Sequence, residues 1–293
     1  MVEELYKDYH LLLVSIAYRM LGSLADAEDI VQDVFADVEP RMLAHIVNRK
    51  AYLCRSVTNR CINYLKSARK RREVYVGTWL PEPLVTLAEG DPMDTIVKQE
   101  SISYALLVTL EQLNPVERAV FILRETLHYT YKEIAEVLER TEGSCRKVYS
   151  RAKAKLPAPG ELPLAALPAR TEQEEKFVKL FLHAVSSGHF EECLSMLTRE
   201  AVLYTDGGGK VRCALRPILG TQRIQALWSG IAPRGYFEGR MLPVYVNGRR
   251  GFVLLRAGRP VMAVSMQWDP EQDRIRKLFI VSNPDKLQRI PLL

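Results

Sequence analysis

Two stretches of this chain carry residue types suited to chemistry on nucleic acid. From Thr141 to Lys155 there are five basic residues and one acid. Arg146, Lys147, Ser150 and Arg151 in that stretch fall on one face at helical spacing. Arginine binds guanine bidentately, the commonest specific base contact, and some of these four reach only phosphate, which sequence alone does not sort. From Arg41 to Arg72 there are ten Lys or Arg and no acid. A block of this charge attracts phosphate and releases counterions. Tyr52, Tyr64, Asn48, Asn59 and Asn63 sit among these cations. Rings that stack and amides that hydrogen-bond suit unpaired bases. Tyr52, Asn59, Arg60 and Asn63 are therefore candidates for contact with unpaired bases. The plainer readings are a solvated helical hairpin for the first stretch and core positions, Leu53 and Val57, within the second.

Residues 1–39 reverse the sign, with nine acids against Lys7 and Arg19. Such a surface cannot face DNA closely and must meet solvent or a basic partner protein. The net charge of +6 and pI near 9.0 fit nucleic-acid contact for the chain as a whole. The five cysteines are widely spaced, with no CxxC or Cys/His ligand pattern, so neither a zinc site nor a disulfide framework is expected. No metal or cofactor is expected. The polar N-terminus does not read as a signal peptide, and no apolar run reaches the length of a membrane span, so the expected location is cytoplasmic.

The elements that would position these groups are mostly helices up to residue 156. Ser23 can cap a helix whose first turn carries Asp26 and Glu28. Asn114-Pro115 opens another in cap-then-proline order. Thr130 and Glu133 make a capping box, and Thr141 caps the following basic helix, so 130–155 reads as helix, tight turn, helix. Between the helical halves lies Trp79-Leu80-Pro81-Glu82-Pro83, stiffened by proline and carrying a Trp-Leu pair that needs a surface to sit on. After Thr171 a helix is expected over 172–187 and a shorter one over 190–197. Strands are expected at Ala201–Thr205, Lys210–Ala214, Val244–Val246, Phe252–Arg256, Pro260–Trp268 and Ile275–Ser282. Asp206 to Gly209 and Asn247-Gly248 read as turns. Two or three helices on a curled antiparallel sheet make an α+β domain.

Together these residues resemble the bacterial extracytoplasmic-function (ECF) sigma factors. Residues 26–35 (DAEDIVQDVF) resemble the acidic helix of region 2, and 51–65 (AYLCRSVTNRCINYL) the promoter-melting and −10 segment. Tyr52 stands where the family usually has Trp, and Asn63 where it has Asp. Leu113 to Lys153 resembles region 4, the −35 reader. The remainder resembles the ECF41 group of SigJ-like factors, whose marks are matched by 79–83, by Asp206-Gly207-Gly208-Gly209-Lys210 and by Asn283-Pro284-Asp285-Lys286-Leu287. The resemblance implies two all-α sigma domains, the second with a helix-turn-helix, followed by a cone-shaped SnoaL/NTF2-like α+β domain. The expected boundaries are 1–76, a linker at 77–93, 94–156, a Pro-rich linker at 157–170, and 171–293. Core RNA polymerase would dock on Asp26, Glu28, Asp29 and Asp33, and promoter DNA on the two basic segments. The tail would fold back on the linker, with Trp79, Leu80, Pro81, Glu82, Pro83, Asp206, Gly207, Gly208, Asn283, Pro284, Asp285, Lys286 and Leu287 as regulatory contacts. The rival placement buries Trp79 in the first domain's core.

Two other functions compete. The C-terminal domain could be an enzyme using Asp206, His183 or His189 as acid and base; a non-catalytic domain is the preferred reading, and whether its pocket holds a small-molecule ligand stays open. The chain could also be a one-component DNA-binding regulator, against which the acidic 1–39 block and the two-part DNA-binding layout argue.

Overall fold

The computed structural model describes residues 2–39, 46–72, 75–87, 103–157, 171–269 and 271–291. The start of the basic block at Arg41, residues 88–102 and most of the expected Pro-rich linker lie outside the described residues. The chain forms two compact units, 1–74 with 106–164 and 75–105 with 165–293.

Among the described residues the first unit's regular elements are all helices: α1 (Val2–Leu21), α2 (Leu24–Ala36), α3 (Arg49–Arg72), α4 (Tyr104–Leu110, which crosses the unit boundary), α5 (Pro115–Glu125), α6 (Tyr131–Leu138) and α7 (Glu142–Lys155). Each expected cap is present. Ser23 accepts from Asp26 N, Asn114 and Glu117 close a capping box, Thr130 and Glu133 close another, and Thr141 accepts from Ser144 N. Such caps contribute about 1 kcal/mol each. Leu13, Val14, Ala17, Met20 and Leu21 of α1 are buried with Ala27 and Val31 of α2 and Leu53, Val57 and Cys61 of α3. Leu53 and Val57 are thus core positions. Glu139, in left-handed conformation with φ 50°, turns α6 into the approach to α7.

The second unit carries α8 (Thr171–Ser187), α9 (Glu191–Ser195) and α10 (Thr221–Ile231), packed on a seven-stranded sheet. Its strands are β1 (Val85–Thr86), β2 (Leu197–Asp206), β3 (Ile218–Leu219), β4 (Arg240–Val246), β5 (Arg249–Arg256), β6 (Arg259–Trp268) and β7 (Ile275–Val281), in the order β1-β4-β5-β6-β7-β2-β3. Phe177 and Phe181 of α8 and Ile224 and Trp228 of α10 pack with Phe252, Leu254, Val264, Leu278 and Ile280 from alternating sheet positions. Phe181 is the hub, touching the rings of Phe177, Phe190, Trp228, Phe237 and Phe252. Asn247-Gly248 joins β4 to β5 with both residues at positive φ, as a two-residue hairpin turn requires.

Two expectations are corrected. The sheet is mixed, because β2 runs parallel to β7. Lys210–Ala214 is not a strand: Lys210 N and Val211 N both donate to Gly207 O, which curls the chain back, and the antiparallel partner of β2 is Ile218–Leu219. Within the expected 77–93 linker, Val85–Thr86 pairs with Tyr245–Val246 as the edge strand β1 of this sheet.

Candidate functional site

On α7, Cys145, Val148 and Ala152 are buried and Arg146, Lys147, Ser150 and Arg151 are exposed, so the expected basic face exists. Arg146 lies 4.4 Å from the Tyr131 ring centroid and 3.6 Å from Glu142. At the helix end, Lys155 Nζ lies 2.7 Å from both oxygens of the buried Glu117. Burial pushes the Glu117 carboxyl up, but Lys155 and the Asn114 N–H outweigh it and hold the pKa below the usual carboxylate range.

On α3, Tyr52, Asn59 and Arg60 are half-buried and Asn63 is exposed. Arg60 is ion-paired with Asp37 and lies 3.8 Å from Asp33 on α2, so a candidate DNA cation neutralises a candidate polymerase-facing acid. Asp26 and Glu28 are half-buried, while Asp29 and Asp33 are exposed. The same unit packs α3 against α5 and α6. Arg55 of α3 pairs with Glu139, and the Tyr129 hydroxyl lies 3.4 Å from Cys54 Sγ. The buried Arg118 of α5 donates to Met20 O and Glu111 Oε1, each at 2.7 Å.

The second unit gathers the linker and both tail motifs around one carboxylate. Asp206, 1% exposed, accepts from Tyr75 Oη at 2.6 Å, Leu80 N at 2.9 Å, Gly208 N at 2.9 Å and Lys286 Nζ at 2.7 Å. Lys286 also donates to Leu80 O, so both main-chain groups of Leu80 are held. Its ammonium lies 4.2 Å from the centroid of the half-buried Trp79 ring, where a cation–π contact is favourable. Leu80, Pro81, Glu82 and Pro83 are buried, and Tyr104 donates to Pro81 O at 2.6 Å. Asn283 Nδ2 donates to Tyr75 Oη at 2.9 Å, and Asn283 Oδ1 accepts from Asp285 N at 3.1 Å. Leu287 is buried, Pro284 and Asp285 are exposed, and Asp285 pairs with Lys210 at 2.6 Å. Burial, and then the bond to Asp206, push the Tyr75 phenol well up, so it stays a donor. Gly208 has φ +60°, and a Cβ there would stand 2.4 Å from Asn283 Nδ2, so this turn admits only glycine. Gly207, whose Cβ would meet Val211 O at 2.1 Å, is equally constrained.

Residues 5–71 match the Sigma-70 region 2 family model and residues 103–156 the Sigma-70 region 4 model. The ECF RNA polymerase sigma factor SigJ of Mycobacterium tuberculosis (strain ATCC 25618 / H37Rv) is 33% identical over 292 residues, spanning 96% of this chain and 91% of that one. The chain belongs to the ECF RNA polymerase sigma factors. The crystal structure of M. tuberculosis SigJ superposes on this sigma factor with TM-score 0.77 at 27% identity, covering 100% of both chains. The probable ECF sigma factor SigI of M. tuberculosis (strain CDC 1551 / Oshkosh) is 29% identical over 198 residues, 67% of each chain. ECF sigma factors direct promoter-specific transcription initiation, and the one-component regulator is not favoured. The α+β unit is the expected SnoaL-like domain.

The structure does not assemble the acid–base set of the enzymatic reading in this sigma factor. His183 and His189 are exposed, and Asp206 is occupied by the four donors above, neither histidine among them. Among the described residues, no group of three His, Cys, Asp or Glu could hold a metal ion, and no helix is long and apolar enough to cross a membrane. Sequence reasoning missed Tyr75, Tyr104 and Asn247. Asn247 is more than a turn residue: its Oδ1 accepts from Leu84 N at 3.1 Å and its N–H donates to Leu84 O at 2.8 Å. The sequence signal for β1 was the short apolar run Leu84-Val85-Thr86 beside the prolines.

Proposed function

We propose that this sigma factor binds core polymerase through the α2 acids, reads the −10 element with α3 and the −35 element with α7, and is modulated by its C-terminal domain acting on the linker. The roles would divide as region 2 over 1–76, linker over 77–93, region 4 over 94–156, a Pro-rich linker over 157–170 and a regulatory domain over 171–293. Asp26, Glu28, Asp29 and Asp33 serve docking; Tyr52, Asn59, Arg60 and Asn63 the −10 strand; Arg146, Lys147, Ser150 and Arg151 the −35 duplex. The work is cytoplasmic and non-catalytic. The observation that carries modulation is Leu80, whose N–H and C=O are both held by motif residues of the C-terminal domain.

The size of the first unit supports a closed resting state. The −10 and −35 elements lie about 25 base pairs apart by their names, roughly 85 Å along DNA at 3.4 Å per base pair. A compact unit of the first unit's size has a radius of gyration of about 14 Å. With α3 packed on α5 and α6, the two readers cannot span that distance, so region 4 must leave region 2 on the promoter.

Two measurements test the reading. Asp29→Lys with Asp33→Lys should reduce retention of core polymerase in a pull-down while the circular dichroism stays helical; unchanged retention counts against this face. Arg146→Ala and Arg151→Ala should each weaken −35 binding by about 1–3 kcal/mol, with relaxed preference at one base pair, wherever the contact is bidentate to guanine. Equal loss on every sequence makes the residue a phosphate contact, and unchanged transcription removes it from the interface.

A further inference from the structure

The C-terminal domain contains a cavity of about 480 Å³ that none of the motif contacts uses. Small-ligand sites commonly measure about 300–1,000 Å³. Leu227, Trp228 and Ile231 of α10 and Ile280 of β7 give it an apolar wall. Arg212, Arg234, Tyr236 and Cys213 give it a polar side, and no acid lines it.

The polar side consists of donors. Arg212 and Arg234 are exposed, and neither has a carboxylate partner among the described residues. The Tyr236 hydroxyl lies 3.7 Å from Cys213 Sγ. Burial pushes both the phenol and the thiol up, so each keeps its proton. Trp228 is 1% exposed, and its indole N–H has no hydrogen-bond partner among the described residues. A buried donor without a partner is costly and is resolved by a ligand or water that accepts. Thr205 Oγ1 donates to Ala214 O at 2.9 Å, which fixes the loop carrying Arg212 and Cys213 against β2.

We propose that this cavity binds an amphipathic carboxylate, with an aromatic or short aliphatic body against the α10 wall and its anion toward Arg212 and Arg234. The cavity adjoins the linker site, because Thr205 directly precedes Asp206 and Cys213 Sγ would stand 3.0 Å from a Cβ on Gly207. An effect of binding on promoter output rests on the proposed modulation through the linker; binding itself does not.

The test is isothermal titration of the full chain with 2-naphthoate and with the uncharged 2-naphthamide. Naphthoate should bind about tenfold or more tightly than the amide, since charge-assisted bonds to guanidinium are available only to the anion. Arg212→Gln with Arg234→Gln, both at exposed positions, should erase the difference while leaving the melting temperature unchanged. Lack of binding by either probe, equal binding of the two, or an undiminished preference in the double variant overturns the proposal. Selective binding with unchanged promoter output would uphold the site and remove only its coupling to the linker.

Discussion

Asp206→Ala should loosen the chain from Tyr75 to Leu80 and destabilise the C-terminal unit by about 3–5 kcal/mol. The magnitude follows from breaking a buried ion pair by removing one partner. The Lys286 side chain is 12% exposed and that of Asp206 0%, so the ammonium would lose its counter-ion with little water to replace it. Leu80 N–H and the Tyr75 hydroxyl would lose their acceptor in the same step. For a domain of this size, 1 kcal/mol moves the melting temperature by about 2–4 °C, so a fall of about 6–20 °C is expected. Hydrogen exchange should accelerate most at Leu80. Leu84, held separately by Asn247, should respond less. Promoter output should change with it under the proposed modulation. An unchanged melting temperature with full protection at Leu80 would show that the carboxylate does not hold the linker.

Arg118→Ala should separate the two sigma regions in the free chain. The guanidinium side chain is 4% exposed and bridges Glu111 to Met20 O near the C-terminal end of α1, a carbonyl that has no partner from continued helix. Its loss takes the donor from Met20 O and one partner from Glu111, whose side chain is 20% exposed, and about 1–3 kcal/mol of destabilisation is expected in the first unit. Since Met20 belongs to region 2 and Arg118 to region 4, the loss falls on their packing. The radius of gyration from X-ray scattering should rise while helix content stays near wild type. Glu111→Leu combined with Arg118→Met should recover much of the stability, because replacing both members of a buried pair with apolar groups is often neutral. If Arg118→Ala melts and scatters like wild type, this side chain does not hold the regions together.

What the residues determined by themselves is the local part of this protein. The caps at Ser23, Asn114, Thr130 and Thr141 close hydrogen bonds across two or three positions, and their partners stand next to them in the chain. The face of α7 follows from helical period, and the Asn247-Gly248 turn from the positive φ that these two residue types tolerate. The three motifs 79–83, 206–210 and 283–287 were legible as a set only through the resemblance to the ECF41 group. Tertiary structure alone decided the remainder. Asp206 meets Leu80 across 126 positions, Asn283 meets Tyr75 across 208, and Leu84 meets Asn247 across 163. The parallel pairing of β2 with β7 and the addition of β1 at the sheet edge likewise join distant segments. Arg60 and Asp33 read as two separate surfaces, yet α2 and α3 bring them together. A cap or a hairpin turn is selected by hydrogen bonds and dihedral angles within a few residues. A long-range pair forms only once the whole core has set the distance between its two elements, and no property of either residue alone encodes that distance.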